Sequence, residues 1–547
     1  MRNRRFEIRD AVPGVVFALL YLATPSQNLT IAHDSIAYLA EIAEWRPQFE
    51  PNHLLFTPFL TAVYASTIRL WPALSPERMI EIVNALAGAL ALQAGYLIAV
   101  RRLQVGRGAA LLATAIAGSS FGLWYYSTTI ETYVIPLALL AWSFYLLSAG
   151  PPTVGRLAAT AVGHSAATLF HQSAILFGAV VACALLTAFD ASGRRVRLSS
   201  AAARLVLYVV LCGAIVGGSY VVASRYDARA QQAPSFITWV KGYGNDTHFW
   251  KKPPRAFVEA AIGFGRAVFG GHYAFAISGV PERLQSAFPG KYLGDEAFLV
   301  RSLPSARALS LLLLTLVVTA VTAIAAVRAA GNAWRRRFAA DPRTLGLLLV
   351  WLLAYGTFFT FWDPSNSDFW VVQTFLLWYV LVALLKTRSG LPLLDRCLLA
   401  TAGAGLFVVT CFGVIRFTSN PANDFYRVHL QAVSQVVRPD DVLVIGDDWP
   451  IARHIGYRLK MRAIYLTAEV QEHTPAEVAA SLSSHLSQHQ RVFISRDVLE
   501  AKQESVAAYG PRYKEYVAQV AAHICGTTPL PAREHELELL QVTCISP

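Results

Sequence analysis

Long apolar stretches separated by short basic clusters run through the first three quarters of the chain, and a different pattern takes over near residue 417. The run "LSLLLLTLVVTAVTAIAAV" at 309–327 holds no charge and approaches the ~20 residues that a helix needs to cross a bilayer core. The same reading predicts crossings at 11–23, 79–100, 109–126, 133–147, 156–170, 173–189, 205–223, 306–327, 345–361, 371–385 and 398–415, about 11 in all. Beyond 417, "VLVIG", "AIYL" and "VFIS" alternate with helical stretches such as "PAEVAASLSSHLSQH". That order implies a small parallel sheet with crossover helices. The predicted fold class is thus mainly α: a polytopic membrane protein, 1–416, carrying a small α/β domain, 417–547.

Orientation follows from the basic clusters. Arg2, Arg4, Arg5 and Arg9 hold the amino terminus in the cytoplasm, and "RRLQVGRG", "RRVR", "RAAGNAWRRRF" and "KTR" each follow a crossing that returns inward. A cleaved signal peptide competes for the first segment, but "ATPSQ" is a weak cleavage site, so an uncleaved anchor is expected. This topology places the loop 24–78, the loop 224–304 and the tail outside the cytoplasm. The apolar piece 54–71 then has to lie along or dip into the outer surface, and Pro51, Pro58 and Pro72 suit a broken segment there.

Composition sharpens the picture in three places. With 55% hydrophobic and 15% charged residues, the chain is not a mostly soluble protein. Its formal charge of +12 would otherwise suggest nucleic acid, yet the basic residues border apolar segments, so the partner is the lipid bilayer and no nucleic acid is expected. Cys183, Cys212, Cys397 and Cys411 lie in apolar helices, where a thiol acts as a small hydrophobe, whereas Cys525 and Cys544 share the polar tail and are candidates for a disulfide in an oxidising compartment.

Polar residues that look out of place beside a membrane fall on one side of this topology. They are His33, Asp34 and His53 in the first outer loop, Glu131 in "TTIETY", His171 and Gln172 in "LFHQSA", and Asp363 and Asp368 in "FWDPSNSDFW". Ionisable groups at membrane depth are costly and tend to mark function. Each also has a plainer reading. Asp34 suits a helix N-cap before "SIAYLAEIAEW", Asp363 before Pro364 suits a turn, Glu131 suits the start of its own helix, and a lone histidine is commonly a packing residue. In the loop 224–304, Lys241, Lys251, Lys252 and Arg255 are interleaved with Trp239, Phe249 and Trp250. They suit a lipid phosphate or a solvated face equally. "VIGDDWP" lacks the glycine spacing of a dinucleotide fingerprint, and no phosphate-cradling loop, H-E-x-x-H or C-x-x-C occurs.

The succession "HDSIAYLAEIAEW", "EPNHLLFTPFLTAVY", "WYYSTTIETYVIPLALLAW", "LFHQSAILF" and "WDPSNSDFWVVQTFLLWYVLVALL" resembles the GT-C superfamily of integral membrane glycosyltransferases, in particular the bacterial branch related to protein O-mannosyltransferases. The resemblance implies juxtamembrane helices in the first outer loop, a polyprenyl-phosphate-linked sugar donor, and an extracytoplasmic acceptor hydroxyl on a protein, lipid or glycan. It makes Asp34 the expected general base of an inverting transfer in a bacterial inner membrane, and sets Glu131 beside it as catalytic, to orient the acceptor or pair with a basic residue. Substrate contacts would come from His33, His53, His171, Gln172, Asp363 and Asp368, and the lipid phosphate would lie against Lys241, Lys251, Lys252 and Arg255. Many members pair Asp with a second acid, but Ser35 follows Asp34 here. No metal ligand is therefore assigned, a divalent cation stays an open option, and His33 is left as a partner for Asp34. The alternatives are a secondary transporter or flippase, which predicts mid-membrane acids and inverted halves, a hydrolase or phosphotransferase acting on the same lipid, and a non-catalytic scaffold.

Overall fold

Each apolar run with a predicted crossing is helical in the computed structural model. It describes the chain apart from residues 1–6, 151–152, 189–195, 246–248, 288–292, 447–448, 503–505, 507–509, 531–537 and 547. Arg2, Arg4 and Arg5, the "RR" at 194–195, the "DTH" of the long loop and the "DD" of "VIGDDWP" lie outside the described residues. Six of the described helices are long and apolar enough to cross a membrane on their own: Pro76–Arg102, Leu198–Ala223, Ser305–Trp334, Pro342–Phe361, Ser367–Leu385 and Leu393–Thr418. Others are shorter for local reasons. Ser120 turns to an extended backbone and divides Arg107–Ser119 from Phe121–Thr128. His171 does the same between Val154–Phe170 and the 3-10 turn Gln172–Phe177, which runs on into Gly178–Leu186.

The piece expected to be broken is instead one helix, Phe56–Leu70. Pro51 opens a separate 3-10 turn, Pro51–His53, and Pro72 lies beyond the end of the helix. Pro58 lies in its first turn, where a missing N–H leaves no intrahelical bond unmade. At 15 residues the helix is only ~22 Å long, short of a bilayer core.

The chain forms two compact units. One comprises Met1–Ser26, Glu41–Gly271 and Ser310–Arg416, and the other Gln27–Ala40, His272–Leu309 and Phe417–Pro547. In the first, small residues let helices approach closely, as expected where apolar burial drives no association. A methyl group on Gly88 would overlap the Ser127 hydroxyl. One on Gly263, in the helix Arg255–Phe269, would overlap the Pro364 carbonyl oxygen and lie 2.7 Å from Trp370 Nε1.

The second unit is built on a five-stranded sheet. Strands β1 (Val442–Ile445), β2 (Arg462–Tyr465) and β3 (Val492–Ser495) are the three runs read from the sequence, and β1 pairs in parallel with both others. The sequence reading lacks β4 (Ile524–Pro529) and β5 (Leu539–Ile545), an antiparallel pair that extends the order to β2-β1-β3-β5-β4. Alternate residues of β1 serve two cores: Val442 and Val444 pack with Val478, Leu482 and Val517, and Leu443 and Ile445 with Tyr426, Leu430 and Phe493. Cys525 and Cys544 form a disulfide across β4 and β5, with Cα atoms 5.2 Å apart.

Within this unit the stretch after Gln27 is tied to the start of the tail. The fully buried Asp424 carboxylate accepts the Leu29 N–H at 2.9 Å, the Thr30 hydroxyl at 2.7 Å and the Arg427 N–H at 3.0 Å. Asn28 donates to the Asn423 carbonyl at 3.0 Å, and Thr30 Oγ1 accepts the Tyr426 N–H at 3.2 Å.

Two expectations follow. Gly263→Val should destabilise the protein by about 1–3 kcal/mol through overpacking, read as a lower melting temperature in detergent. Gly265→Val, where nothing lies within 4 Å, should change little. Asp424→Ala leaves the buried Leu29 N–H, the half-buried Arg427 N–H and the Thr30 hydroxyl without this acceptor, so limited proteolysis should cut between 27 and 40 far faster than in wild type. An unchanged cleavage pattern would show that the carboxylate does not hold this stretch.

Candidate active site

In the first unit, two short segments converge on the turn that follows Pro342–Phe361. The Lys251 N–H donates to the Phe361 carbonyl at 2.8 Å and the Asp363 N–H to the Phe249 carbonyl at 2.9 Å, so 249–251 runs antiparallel to 361–363. Asp363 has φ of 40° and its carbonyl accepts the Asn366 N–H at 3.2 Å, which is the turn role weighed for it from sequence. The side chain of Asn366 then caps Asp368 through its N–H at 3.2 Å. This places the Asp368 carboxylate where the Tyr126 hydroxyl donates to its Oδ1, with Ser367 Oγ 3.1 Å from the same hydroxyl. The Trp370 indole closes the turn on the Pro364 carbonyl at 2.9 Å.

A chain of rings leads from this carboxylate to the histidines. Tyr126 packs on Tyr133 at 5.4 Å between centroids, Tyr133 on His171 at 5.1 Å, and His171 on His53 at 4.8 Å. His171 Nδ1 accepts the Ser173 N–H at 3.2 Å, which leaves the proton of the neutral ring on Nε2. Burial, and then the neighbouring His53, holds His171 well below the usual histidine range. Burial likewise pushes His53 down to about 4, against the opposing pull of the Phe170 carbonyl. Both rings are therefore neutral near pH 7. Tyr133, His171, Tyr355, Asp368 and Phe369 line one cavity, and the buried Tyr355 hydroxyl has no partner among the described residues.

The structure gives the remaining predicted residues distinct surroundings. Glu131 is buried, its Oε2 accepting the Thr132 N–H at 3.3 Å, and Asn84 fixes its loop by donating to the carbonyls of Thr129 and Glu131 at 2.8 and 2.9 Å. Gln172 donates to the Val240 carbonyl at 2.6 Å and the Tyr220 hydroxyl at 3.1 Å. It is a strut that ties its turn to the helices Leu198–Ala223 and Phe236–Lys241. Arg255 pairs with Glu259 at 2.5 Å, one helical turn on, whereas Lys241 and Lys252 are exposed and Lys251 is half-buried. Tyr126, Tyr133, Ser367 and Tyr355 were not singled out from the sequence. The only signal for three of them was their place inside the quoted motifs, and for Tyr355 a polar tip on an apolar helix.

In the second unit, Asp34 and His33 are both exposed at the turn before the helix Ser35–Ala43. The Asp34 carbonyl accepts the N–H groups of Ala37 and Tyr38 at 3.0 and 3.2 Å, so its backbone occupies the N-cap position. His33 Nε2 lies 3.2 Å from Oδ2 of the buried Asp295. Among the described residues no three His, Cys, Asp or Glu side chains converge as a metal-binding group.

The depressed His53 predicts acid sensitivity. The native ring resists the proton until about pH 4, while the unfolded ring takes it up near 6.5, so stability present above 6.5 is lost as pH falls towards 4. The loss is at most about 1.4 kcal/mol per pH unit. The melting temperature of His53→Gln in detergent should fall less steeply between pH 7 and 5 than that of wild type; parallel curves would refute the assignment.

No family model and no curated relative matches this chain. Among solved structures, ArnT from Cupriavidus metallidurans bound to undecaprenyl phosphate aligns over 97% of this chain and 97% of its own, at 12% identity and a TM-score of 0.54. The archaeal oligosaccharyltransferase AglB from Archaeoglobus fulgidus, in complex with an inhibitory peptide and a dolichol-phosphate, aligns over 95% of this chain and 73% of its own, at 11% identity and a TM-score of 0.49. Only the first likeness is close enough to carry the fold, and it extends over both units. The chain is a polytopic membrane protein with the GT-C fold.

Proposed function

We propose that the chain is a membrane glycosyltransferase that moves a sugar from a polyprenyl-phosphate-linked donor to a hydroxyl on an extracytoplasmic acceptor, in a bacterial inner membrane. The observation that carries this reading is the end-to-end likeness to ArnT, a protein with undecaprenyl phosphate bound. The disulfide between Cys525 and Cys544 supports an oxidising location for the tail.

In this reading the exposed Asp34 carboxylate removes the acceptor hydroxyl proton as that oxygen attacks the anomeric carbon. The bond from that carbon to the phosphate oxygen breaks and its electron pair leaves with the polyprenyl phosphate, so a single displacement inverts the anomeric centre. A phosphate is a good leaving group, and charge neutralisation by Lys241, Lys251 and Lys252 serves it better than a protein acid would. Arg255 contributes less, because Glu259 already pairs with it. In the first unit, Tyr133, His171 and Asp368 border a small cavity lined by ring faces and hydrogen-bonding groups.

Purified protein in nanodiscs, given a panel of radiolabelled polyprenyl-phosphate sugars with an envelope extract as acceptor source, should consume at least one donor. Asp34→Asn should lower the rate about 10²–10⁴-fold. Wild-type rates in the variant would remove Asp34 as the base, and no consumption of any donor would remove the enzyme reading.

A further inference from the structure

Arginines gather at one end of the first unit. The helix Ser305–Trp334 runs out there into Arg335, Arg336 and Arg337, and the helix Leu393–Thr410 begins beside it with Arg396 in its opening turn. The two are tied together: Arg328 Nε pairs with Oδ1 of the fully buried Asp395 at 2.5 Å, and Asn332 donates to the Leu384 carbonyl at 3.3 Å. Further on, the Ala339 N–H donates to the Lys386 carbonyl at 2.9 Å and Lys386 Nζ to the Ala339 carbonyl at 3.1 Å. The segment after the arginine run therefore lies against the hairpin that carries Arg388.

Both carboxylates of these segments are engaged, Asp395 by Arg328 and Asp341 as a cap that accepts the Thr344 N–H at 2.8 Å and the Thr344 hydroxyl at 2.7 Å. Arg335, Arg336, Arg337 and Arg388 are exposed and make no ion pair among the described residues, and Arg396 spends only Nε, on the Leu391 carbonyl at 2.8 Å. Arg336 stands against a backbone preference. Its φ is 50°, its N–H donates to the Ala333 carbonyl at 3.0 Å, and the Arg337 N–H donates to the Asn332 carbonyl at 2.8 Å. That is a helix-ending turn in which glycine is the favoured residue. An arginine in left-handed backbone weakens the fold, and this guanidinium returns no hydrogen bond among the described residues. Apolar side chains at the same end are exposed as well: Trp334 by 89%, Leu393 by 75% and Leu394 by 53%.

We propose that this end of the unit is a docking site for an anionic phospholipid of the adjoining leaflet, with its phosphate on the arginines and its acyl chains along Trp334, Leu393 and Leu394. Charge complementarity selects the phosphate, because exposed guanidinium groups without a carboxylate partner bind phosphate oxygens in pairs. The apolar side chains select a lipid over a soluble anion, since a nucleotide or free phosphate would leave the indole and both leucines uncovered. The sequence reading assigns this end to the cytoplasm, whose leaflet is anionic. A cluster that served orientation alone needs positive charge in the loop, and it does not need an arginine at the glycine position of the turn. Neither the site nor its test depends on the proposed transfer.

The test uses the full chain in detergent, with binding of phosphatidylglycerol and of phosphatidylcholine read by native mass spectrometry and the melting temperature read alongside. Wild type should prefer phosphatidylglycerol, and raising the salt from about 0.05 to about 0.5 M should weaken that preference, because screening shortens the reach of the arginines. Each arginine should contribute about fivefold, so Arg335→Gln/Arg336→Gln/Arg337→Gln should lower the affinity for phosphatidylglycerol about 100-fold. Arg336→Gly relieves the backbone, so its melting temperature in lipid-free detergent should equal or exceed that of wild type while its affinity falls about fivefold. Arg69→Gln/Arg225→Gln/Arg283→Gln removes three exposed arginines elsewhere and should bind as wild type does. Equal losses in the two triple variants, undiminished affinity in Arg336→Gly, or a preference indifferent to salt overturns the site. Displacement of the lipid by glycerol phosphate at equal concentration assigns the arginines to a soluble anion and overturns the lipid.

Discussion

A buried carboxylate has to be hydrogen-bonded or it does not stay buried, and Asp424 meets that demand by reaching back 394 residues to Thr30 and 395 to Leu29. The stretch between Gln27 and Asp34 has little apolar surface with which to hold itself in place. What fixes it is the carboxylate at the start of the tail, reinforced by Asn28 on Asn423 and by Thr30 on Tyr426. The exposed positions His33 and Asp34 therefore inherit their placement from the tail. This gives that domain a role that its strands alone do not suggest: it is the support on which the expected base and its neighbour are held.

The membrane unit solves the same problem by different means. Asp368 is directed by a short turn in which Asn366, Pro364 and Trp370 satisfy one another, and that turn seats against a helix whose Gly263 leaves room for the Pro364 carbonyl. The ring sequence from Tyr126 through Tyr133 and His171 to His53 then joins four separate segments without a charge among them near pH 7. Neutral rings suit this environment, because a lone imidazolium there would cost more than the contacts return. Asp368 is the acid of this group, and the Tyr126 hydroxyl donates to it.

The parts of this structure that sequence made legible are those governed by local periodicity. Uncharged runs of helical length became helices, and "VLVIG", "AIYL" and "VFIS" became β1, β2 and β3 in parallel register. Where an element ends was harder, since Ser120 and His171 break their helices through backbone conformation that no strong breaker residue announces. Apart from the parallel sheet and the Cys525–Cys544 pair, long-range pairings were not legible. Asp424 reads as an ordinary N-cap before "FYRVHL", which it also is, and nothing nearby in sequence points to Thr30. Asp295 stands in an unremarkable "GDEAFL", and β4 and β5 reveal themselves only once their cysteines are seen to face each other.

The absence of a second acid beside Asp34 has a physical reason in this chain. Ser35 is fully buried at the first position of its helix, with its N–H bonded to the Ala32 carbonyl at 3.0 Å, so a carboxylate at 35 would be taken out of water. Burial of an unpaired carboxylate costs several kcal/mol. The helix turns position 35 inward and leaves 33 and 34 outward. His33, the residue before Asp34, is outward as well and has its ring 3.2 Å from the buried Asp295.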